Sequence, residues 1–199
     1  MANINYLSKV AENIKPIHWF VTIFLSVLIY SFLNNEILLV EYGKGFDEHS
    51  YVDIAKNFSF HLTQRDFTPY YNSRIIIPAI IHYIISIMNL DSNIPTIRNL
   101  FLGFNLFSIA LSLYYFYKIV KFKKYKESTI MLGFCFLFVN FFILKFSNYY
   151  PVLLDVFGFT SGIIIFYYYL VNNKIALFVG LFLSLFIFPT TILVLISLI

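Results

Sequence analysis

The chain has 199 residues, of which 60% are hydrophobic and 12% are charged, and its mean hydropathy is +0.79. Soluble domains have about 45–50% apolar and about 25% charged residues, so this composition argues against one large soluble core. The net charge is +4, and the basic residues lie beside hydrophobic segments, which favours contact with an anionic membrane face over nucleic acid. The chain has a single cysteine, Cys135, so it cannot form an internal disulfide.

Apolar runs follow one another along the chain. The first, at 17–33, is long and has no small-residue cleavage site after it, which predicts a retained anchor rather than a signal peptide. The later runs lie at 74–90, 97–117, 128–144, 152–171 and 175–199. A spanning helix needs about 20 mostly apolar residues. We predict an all-α, polytopic membrane protein with about five transmembrane helices in one transmembrane domain over residues 1–199.

Lysines decide the orientation of these segments. Lysine and arginine in short loops mark the cytoplasmic side. They occur at Lys9 and Lys15, and as five lysines within 118–126. Both regions lie on the same side only if 74–90 does not cross. We therefore predict a multi-pass protein of the inner (cytoplasmic) membrane with a cytoplasmic N-terminus.

The segment 74–90 also has features of a poor spanning helix. It is barely long enough and begins with Arg74. Its polar and helix-breaking residues recur at a spacing of four, on one helical face: Pro78, His82 and Ser86. This pattern favours an interfacial or re-entrant helix, with 41–96 as the first extracytoplasmic loop.

That loop contains most of the candidate chemistry. Residues 41–74 hold half of the chain's ten acidic residues, at Glu41, Asp47, Glu48, Asp53 and Asp66. A helix over 47–58 would place one apolar stripe against the membrane: Tyr51, Ile54, Ala55 and Phe58. Asp47 and Glu48 would then stand at its exposed start. Asp47 caps the helix, acts as a general base, or does both.

Three further charged residues are candidates for substrate contact. Asp155 follows Pro151 by four residues in an apolar run, where an ionisable side chain either faces a cavity or is stabilised near a helix N-terminus. Arg74 is suited either to a lipid phosphate or to snorkelling towards head groups, and Lys145 to the same two uses. His49 has no metal-type pairing, and Tyr70 and Tyr71 are read as interface aromatics.

Three stretches, "FDEHSYVDIA", "PYYNSRIIIP" and "NYYPVLLDVFG", resemble bacterial membrane glycosyltransferases of the GT-C superfamily. The matching positions are Asp47, Ser50, Tyr51 and Ala55, then Pro69, Tyr70, Arg74 and Pro78, then Asp155. The resemblance covers roughly residues 17–171. Such enzymes are usually longer, so we expect this chain to correspond to their N-terminal core.

The resemblance implies transfer of a hexose or pentose from a polyprenyl-phosphate carrier to an acceptor on the extracytoplasmic side. It makes Asp47 the catalytic base and Glu48 its substitute. Asp155 positions the substrate, Arg74 contacts the carrier phosphate, and Tyr51, His49 and Lys145 complete the predicted substrate contacts. The expected partners are a lipid-linked sugar and membrane lipids, with no nucleic acid, and the need for a divalent metal stays open.

Two other functions remain alternatives. One is a non-enzymatic membrane protein, such as a transporter or flippase component or an immunity or assembly factor, in which Asp155 lines a pathway. The other is a polysaccharide polymerase or ligase, which usually relies on arginine and histidine in later loops that this sequence does not show.

Overall fold

The structure, a computed structural model, describes residues 16–34, 47–64, 69–190 and 193. Every element of regular secondary structure in these ranges is helical, which confirms the all-α prediction. In chain order the elements are α1 (Pro16–Leu33), α2 (Glu48–Gln64), α3 (Pro69–Asn72), α4 (Ile76–Ile87), α5 (Ile94–Lys123), α6 (Glu127–Phe138), a π-helical segment (Phe142–Phe146), α7 (Ser147–Tyr149), α8 (Asp155–Leu170) and α9 (Lys174–Leu185). Lys9, Lys15, Glu41 and Asp66, and most of 191–199, lie outside the described residues.

Helix α5 is the longest element and includes the predicted span 97–117. The side chain of Asn93 accepts a hydrogen bond from the backbone N–H of Thr96 and caps its start, and Lys124, at φ 52°, ends it in the left-handed region. Its 30 residues extend about 45 Å. Among the described residues, it is the one single helix that is long and apolar enough to cross a membrane.

The remaining predicted spans are shorter or broken. The run 128–144 divides after α6 and bends by 56° into the following helical segment. Asn140 explains the break, because its amide donates to the carbonyl of Leu137 and its side-chain oxygen accepts from the N–H of Ile143. If the bent pair is one span, the described residues contain two, and α8 and α9 have 16 and 12 residues. The structure does not show five spans, so that number stays a prediction.

The run 74–90 forms α4, which has 12 residues and extends only about 18 Å. It packs against α2 through Ile77, Ile81 and Ile85. His82 joins the same two helices, since its Nδ1 lies 2.9 Å from the carbonyl oxygen of Ala55. A helix of 12 residues covers less than the roughly 30 Å of a hydrocarbon layer, and the predicted position of 74–90 in the interface stays a prediction.

The apolar stripe of α2 is present, but it faces protein. Tyr51, Ile54, Ala55 and Phe58 are all buried, in one cluster with α4, the start of α5 and residues 152–157. The prediction that this stripe holds the helix to the membrane is therefore wrong. An amphipathic helix turns its apolar stripe towards a core, and here α4 and α5 supply apolar residues that cover it.

Helices α5 and α8 pack side by side in parallel. Asn105, in the first half of α5, donates to the carbonyl of Pro151, Ser112 bonds to Thr160, and Tyr115 bonds to Tyr168. The sequence positions increase together along both helices, which fixes their common direction. The start of α8 therefore points to the same end of the molecule as the start of α5 and lies beside α2.

Candidate functional site

Asp47 lies immediately before α2 and accepts hydrogen bonds through backbone and side chain. Its backbone carbonyl accepts from the N–H groups of Ser50 and Tyr51, so it holds the N-cap position of the helix. Its carboxylate accepts from two phenols: Tyr70 at 2.8 Å on Oδ2 and Tyr71 at 3.1 Å on Oδ1. The carboxylate is half-buried and held from both sides.

Arg74 follows these tyrosines and lies against aromatic rings. Its guanidinium carbon is 4.3 Å from the ring centre of Tyr70 and 4.9 Å from that of Phe188, and Nη1 donates to the hydroxyl of Tyr51 at 3.3 Å. Such cation–π contacts favour one orientation of the guanidinium relative to the two rings. Its Nε is buried, and no group in the described part of the chain accepts a hydrogen bond from it. The guanidinium therefore has donor capacity left for an anion.

The tyrosines around Arg74 remain protonated phenols at neutral pH. Burial raises the pKa of Tyr51, against the opposing effect of its hydrogen bond with Arg74. Burial also raises the pKa of Tyr70, as does its hydrogen bond to Asp47. Both phenols can then donate or accept hydrogen bonds without adding negative charge to the cluster.

Asp155 reaches the same cluster from the other end of the sequence. It is the first residue of α8, where the helix dipole favours a carboxylate. Arg74 and Asp47 are both close enough to act on its charge. The structure thus brings together Asp47, Tyr51, Arg74 and Asp155 from three separate segments, and it places Asp155 at a helix start rather than inside a helix.

Glu48 does not share the exposure of Asp47. Its side chain is fully buried, and Oε1 lies 3.1 Å from Nε of Arg98 in α5. The prediction that Glu48 stands at an exposed helix start is wrong. Adjacent residues on a helix point about 100° apart, so when Asp47 faces the aromatic cluster, Glu48 faces the core.

The last two predicted contacts lie in different surroundings. His49 is exposed in the first turn of α2. Lys145, in the π-helical segment, donates to Oγ of Ser31 in α1 at 3.3 Å, and its Nζ is 6.0 Å from the ring centre of Tyr149. These contacts connect Lys145 to α1, and a substrate contact for either residue stays a prediction.

Sequence reasoning missed four members of this region. The sequence predicts Tyr70 and Tyr71 as interface aromatics, although both lie with Arg74 in the stretch "PYYNSRIIIP" and Tyr70 is one of its matching positions. Arg98 was passed over, although a charged residue at the start of a predicted span is a signal for a buried partner. Phe188 has no sequence signal, since only the return of the chain after α9 brings it to Arg74.

In the described ranges, no three or more His, Cys, Asp or Glu side chains are grouped so that they could hold a metal ion. The cluster contributes two carboxylates, Asp47 and Asp155, and Asp47 is already bonded to two phenols. The need for a divalent metal stays open.

Comparison of the chain with protein-family models, curated proteins and solved structures gave no significant match.

Proposed function

We propose that the protein is an integral-membrane glycosyltransferase core that uses a polyprenyl-phosphate sugar, with Asp47 as general base. The main support is geometric: Asp47 and Arg74 both contact Tyr70, and Asp155 begins α8 directly after residues 152–154, which pack with Tyr51 in one cluster. A carboxylate, a guanidinium with a free donor and a second carboxylate are suited to acting on a hydroxyl beside a phosphate. The proposal that the transferred group is a sugar rests on the resemblance to the GT-C superfamily.

The proposed reaction uses three charged residues. The acceptor hydroxyl attacks the anomeric carbon while the bond from that carbon to the phosphate oxygen breaks. Asp47 takes the hydroxyl proton, and the departing polyprenyl phosphate keeps the bonding electrons. Arg74 then stabilises the new charge on the phosphate with a bidentate hydrogen-bonding face. Asp155, whose charge acts on Arg74, orients the guanidinium.

Helix α5 supports the predicted orientation in a membrane. Arg98, which pairs with Glu48 next to Asp47, and Lys121, in the five-lysine region, are separated by 23 helical positions, or about 35 Å. The hydrocarbon layer is about 30 Å thick. Asp47 and the lysines would then lie on opposite faces, whereas Asp155, which precedes Thr160 by five positions, lies level with the middle of α5.

A non-enzymatic membrane protein is the second candidate, and one observation favours it. Both carboxylate oxygens of Asp47 already accept hydrogen bonds, from Tyr70 and Tyr71. A carboxylate with a purely structural role is expected to have both oxygens hydrogen-bonded within the protein. A general base must instead exchange one of these hydrogen bonds for one to the acceptor hydroxyl. In this alternative, the cluster joins α2, α3 and α8 and has no substrate.

Replacement of Asp47 by asparagine separates the two candidates. Membranes that contain the protein would be incubated with tritiated polyprenyl-phosphate hexoses and pentoses, and acceptor-bound label would be measured. We expect Asp47→Asn to reduce transfer by about 10²–10⁴-fold, the usual contribution of a general base. Asp91→Asn, an exposed acid in the same predicted loop, is the matched control and should retain transfer. Undiminished transfer by Asp47→Asn would remove Asp47 as the base, and no transfer by the wild type from any donor would favour the second candidate.

A further inference from the structure

A groove of about 640 Å³ opens between α1, α5 and α6, far from Asp47 along α5. This volume falls within the range of roughly 300–1,000 Å³ that is usual for ligand sites. Its walls are mainly aliphatic and aromatic side chains, including Val21, Leu113 and Phe134. Thr22 also lines it, but the threonine hydroxyl already donates to the carbonyl of His18. The groove is therefore suited to a hydrocarbon chain.

Lysines follow the groove at its end nearest the α5–α6 connection. Tyr117 and Val120 line the groove from α5, and Lys121 and Lys124 come four positions after them. Residues four apart lie one above the other on a helix face, so Lys121 lies one turn beyond Tyr117. Lys124 is the C-cap of α5, and its backbone N–H donates to the carbonyl of Val120. Both lysines therefore follow the apolar wall, Lys121 on its helical face and Lys124 at the helix end.

Helix α6, the third wall of the groove, also has a lysine one turn away from a residue that lines the groove. Ile130 lines the groove from α6, and its backbone N–H donates to the carbonyl of Lys126, one turn nearer the connection. Lys121, Lys124 and Lys126 are all exposed. Because α5 ends and α6 begins at this connection, Lys121, Lys124 and Lys126 all lie at the end of the groove that is nearest to it. This combination matches a molecule with a hydrocarbon chain and an anionic head.

We propose that this groove binds an anionic phospholipid of the leaflet that faces the lysines. One acyl chain lies between α1, α5 and α6, and the phosphate contacts Lys121, Lys124 and Lys126. Basic clusters immediately beside membrane helices attract anionic lipids, with about 1 kcal/mol for each lysine near the surface. The proposal rests on the membrane location given under the proposed function, but not on catalysis.

Native mass spectrometry of the full chain in an uncharged detergent tests it. The probes are dimyristoyl phosphatidylglycerol and dimyristoyl phosphatidylcholine, which share their chains and differ in charge. We expect retained phosphatidylglycerol to exceed phosphatidylcholine at least about fivefold, and Lys121→Gln to lower this preference about fivefold. Equal retention of the two lipids would overturn the proposal.

A matched lysine distinguishes this groove from a diffuse basic surface. Lys123 lies in the same stretch, but the residue four positions before it is Ile119, which is buried in the core and does not line the groove. Lys123→Gln should therefore leave the lipid preference unchanged. An equal loss in Lys123→Gln and Lys121→Gln would overturn a defined site.

The hydrocarbon part of the site has its own test. Thr22→Phe and Val120→Trp fill the groove from two different helices and should reduce retention of phosphatidylglycerol, and circular dichroism shows whether each variant keeps its helices. Unchanged retention in both folded variants would overturn the groove as the chain site. Displacement of phosphatidylglycerol by a lower concentration of undecaprenyl phosphate, or a dimer that dissociates when the groove is filled, would instead identify the carrier lipid or a second copy as the occupant.

Failure of this proposal can be separated from failure of the proposed function. Asp47→Asn should bind phosphatidylglycerol as the wild type does, because Asp47 lies at the other end of α5. Loss of lipid preference in Lys121→Gln with unchanged sugar transfer would support the groove and leave the catalytic proposal unaffected.

Discussion

Replacement of Glu48 by glutamine should strongly destabilise the protein. Glu48 is fully buried and lies 3.1 Å from Arg98, whose side chain is only 14% exposed. Removing one partner of a buried ion pair usually costs about 3–5 kcal/mol, since the other charge remains in a poorly solvated place. We expect a loss in this range for Glu48→Gln.

The free energy of unfolding would be measured in mixed micelles by titration with a denaturing detergent. Glu127→Gln, which changes an exposed acid in the first turn of α6, is the matched control and should cost less than about 1 kcal/mol. A second comparison uses Glu48→Leu and Arg98→Leu, separately and together. We expect the double variant to lose less stability than either single variant, because it leaves no unpaired charge. An unfolding free energy of Glu48→Gln within about 1 kcal/mol of the wild type would refute the buried pair.

Three other substitutions test the contacts that build the site and the bundle. A methyl group at Gly158 would come within 2.8 Å of the ring of Phe188, so Gly158→Ala should move that ring and lower the free energy of unfolding by about 1–3 kcal/mol. An unchanged thermal midpoint would contradict this close contact. Thr160→Val removes the hydroxyl that joins α8 to α5 and should cost about 0.6–2 kcal/mol in the same detergent titration, whereas no loss would mean that packing alone joins the two helices. His82→Phe keeps an aromatic ring beside α2 but loses the bond to the carbonyl of Ala55, so it should cost about 1–3 kcal/mol, and faster protease cleavage between α2 and α4 would accompany the loss.

Thiol labelling addresses the predicted orientation. Ser59 and Ser92 are both exposed, so cysteine at either position in a Cys135→Ser background can react with a reagent that does not cross membranes. Labelling of both cysteines in intact cells is expected if α4 does not cross. Labelling at position 59 alone would mean that residues 74–90 span and that Asp155 lies on the other side from Asp47.

Part of the fold could be predicted from periodicity. The stripe at Tyr51, Ile54, Ala55 and Phe58 predicted a helix with one buried face, because spacings of three and four residues coincide on a helix whatever lies against it. The same spacing could not say what covers that face. A membrane and a neighbouring apolar helix both favour the same residue types, so the membrane was predicted where α4 and α5 are found.

The candidate site could likewise be predicted only in part from the sequence. Unusual charge in an apolar chain marked Asp47, Arg74 and Asp155, since burial of charge is costly and rarely tolerated without a partner or a function. The difference between Asp47 and Glu48 had no sequence signal. Two adjacent acids have the same chemistry, and only the rotation of α2 against α5 decides which one meets Arg98.

The sequence by itself determined that the chain is helical, which segments are apolar, and where the acids and lysines fall along it. Those properties depend on residues within one turn or one segment of each other. Only the tertiary structure decided that Tyr70 and Tyr71 hold Asp47, that Phe188 covers Arg74, and that α5 and α8 run in parallel. These contacts join residues far apart in the chain, and they depend on how the apolar faces of separate helices fit together rather than on any local preference.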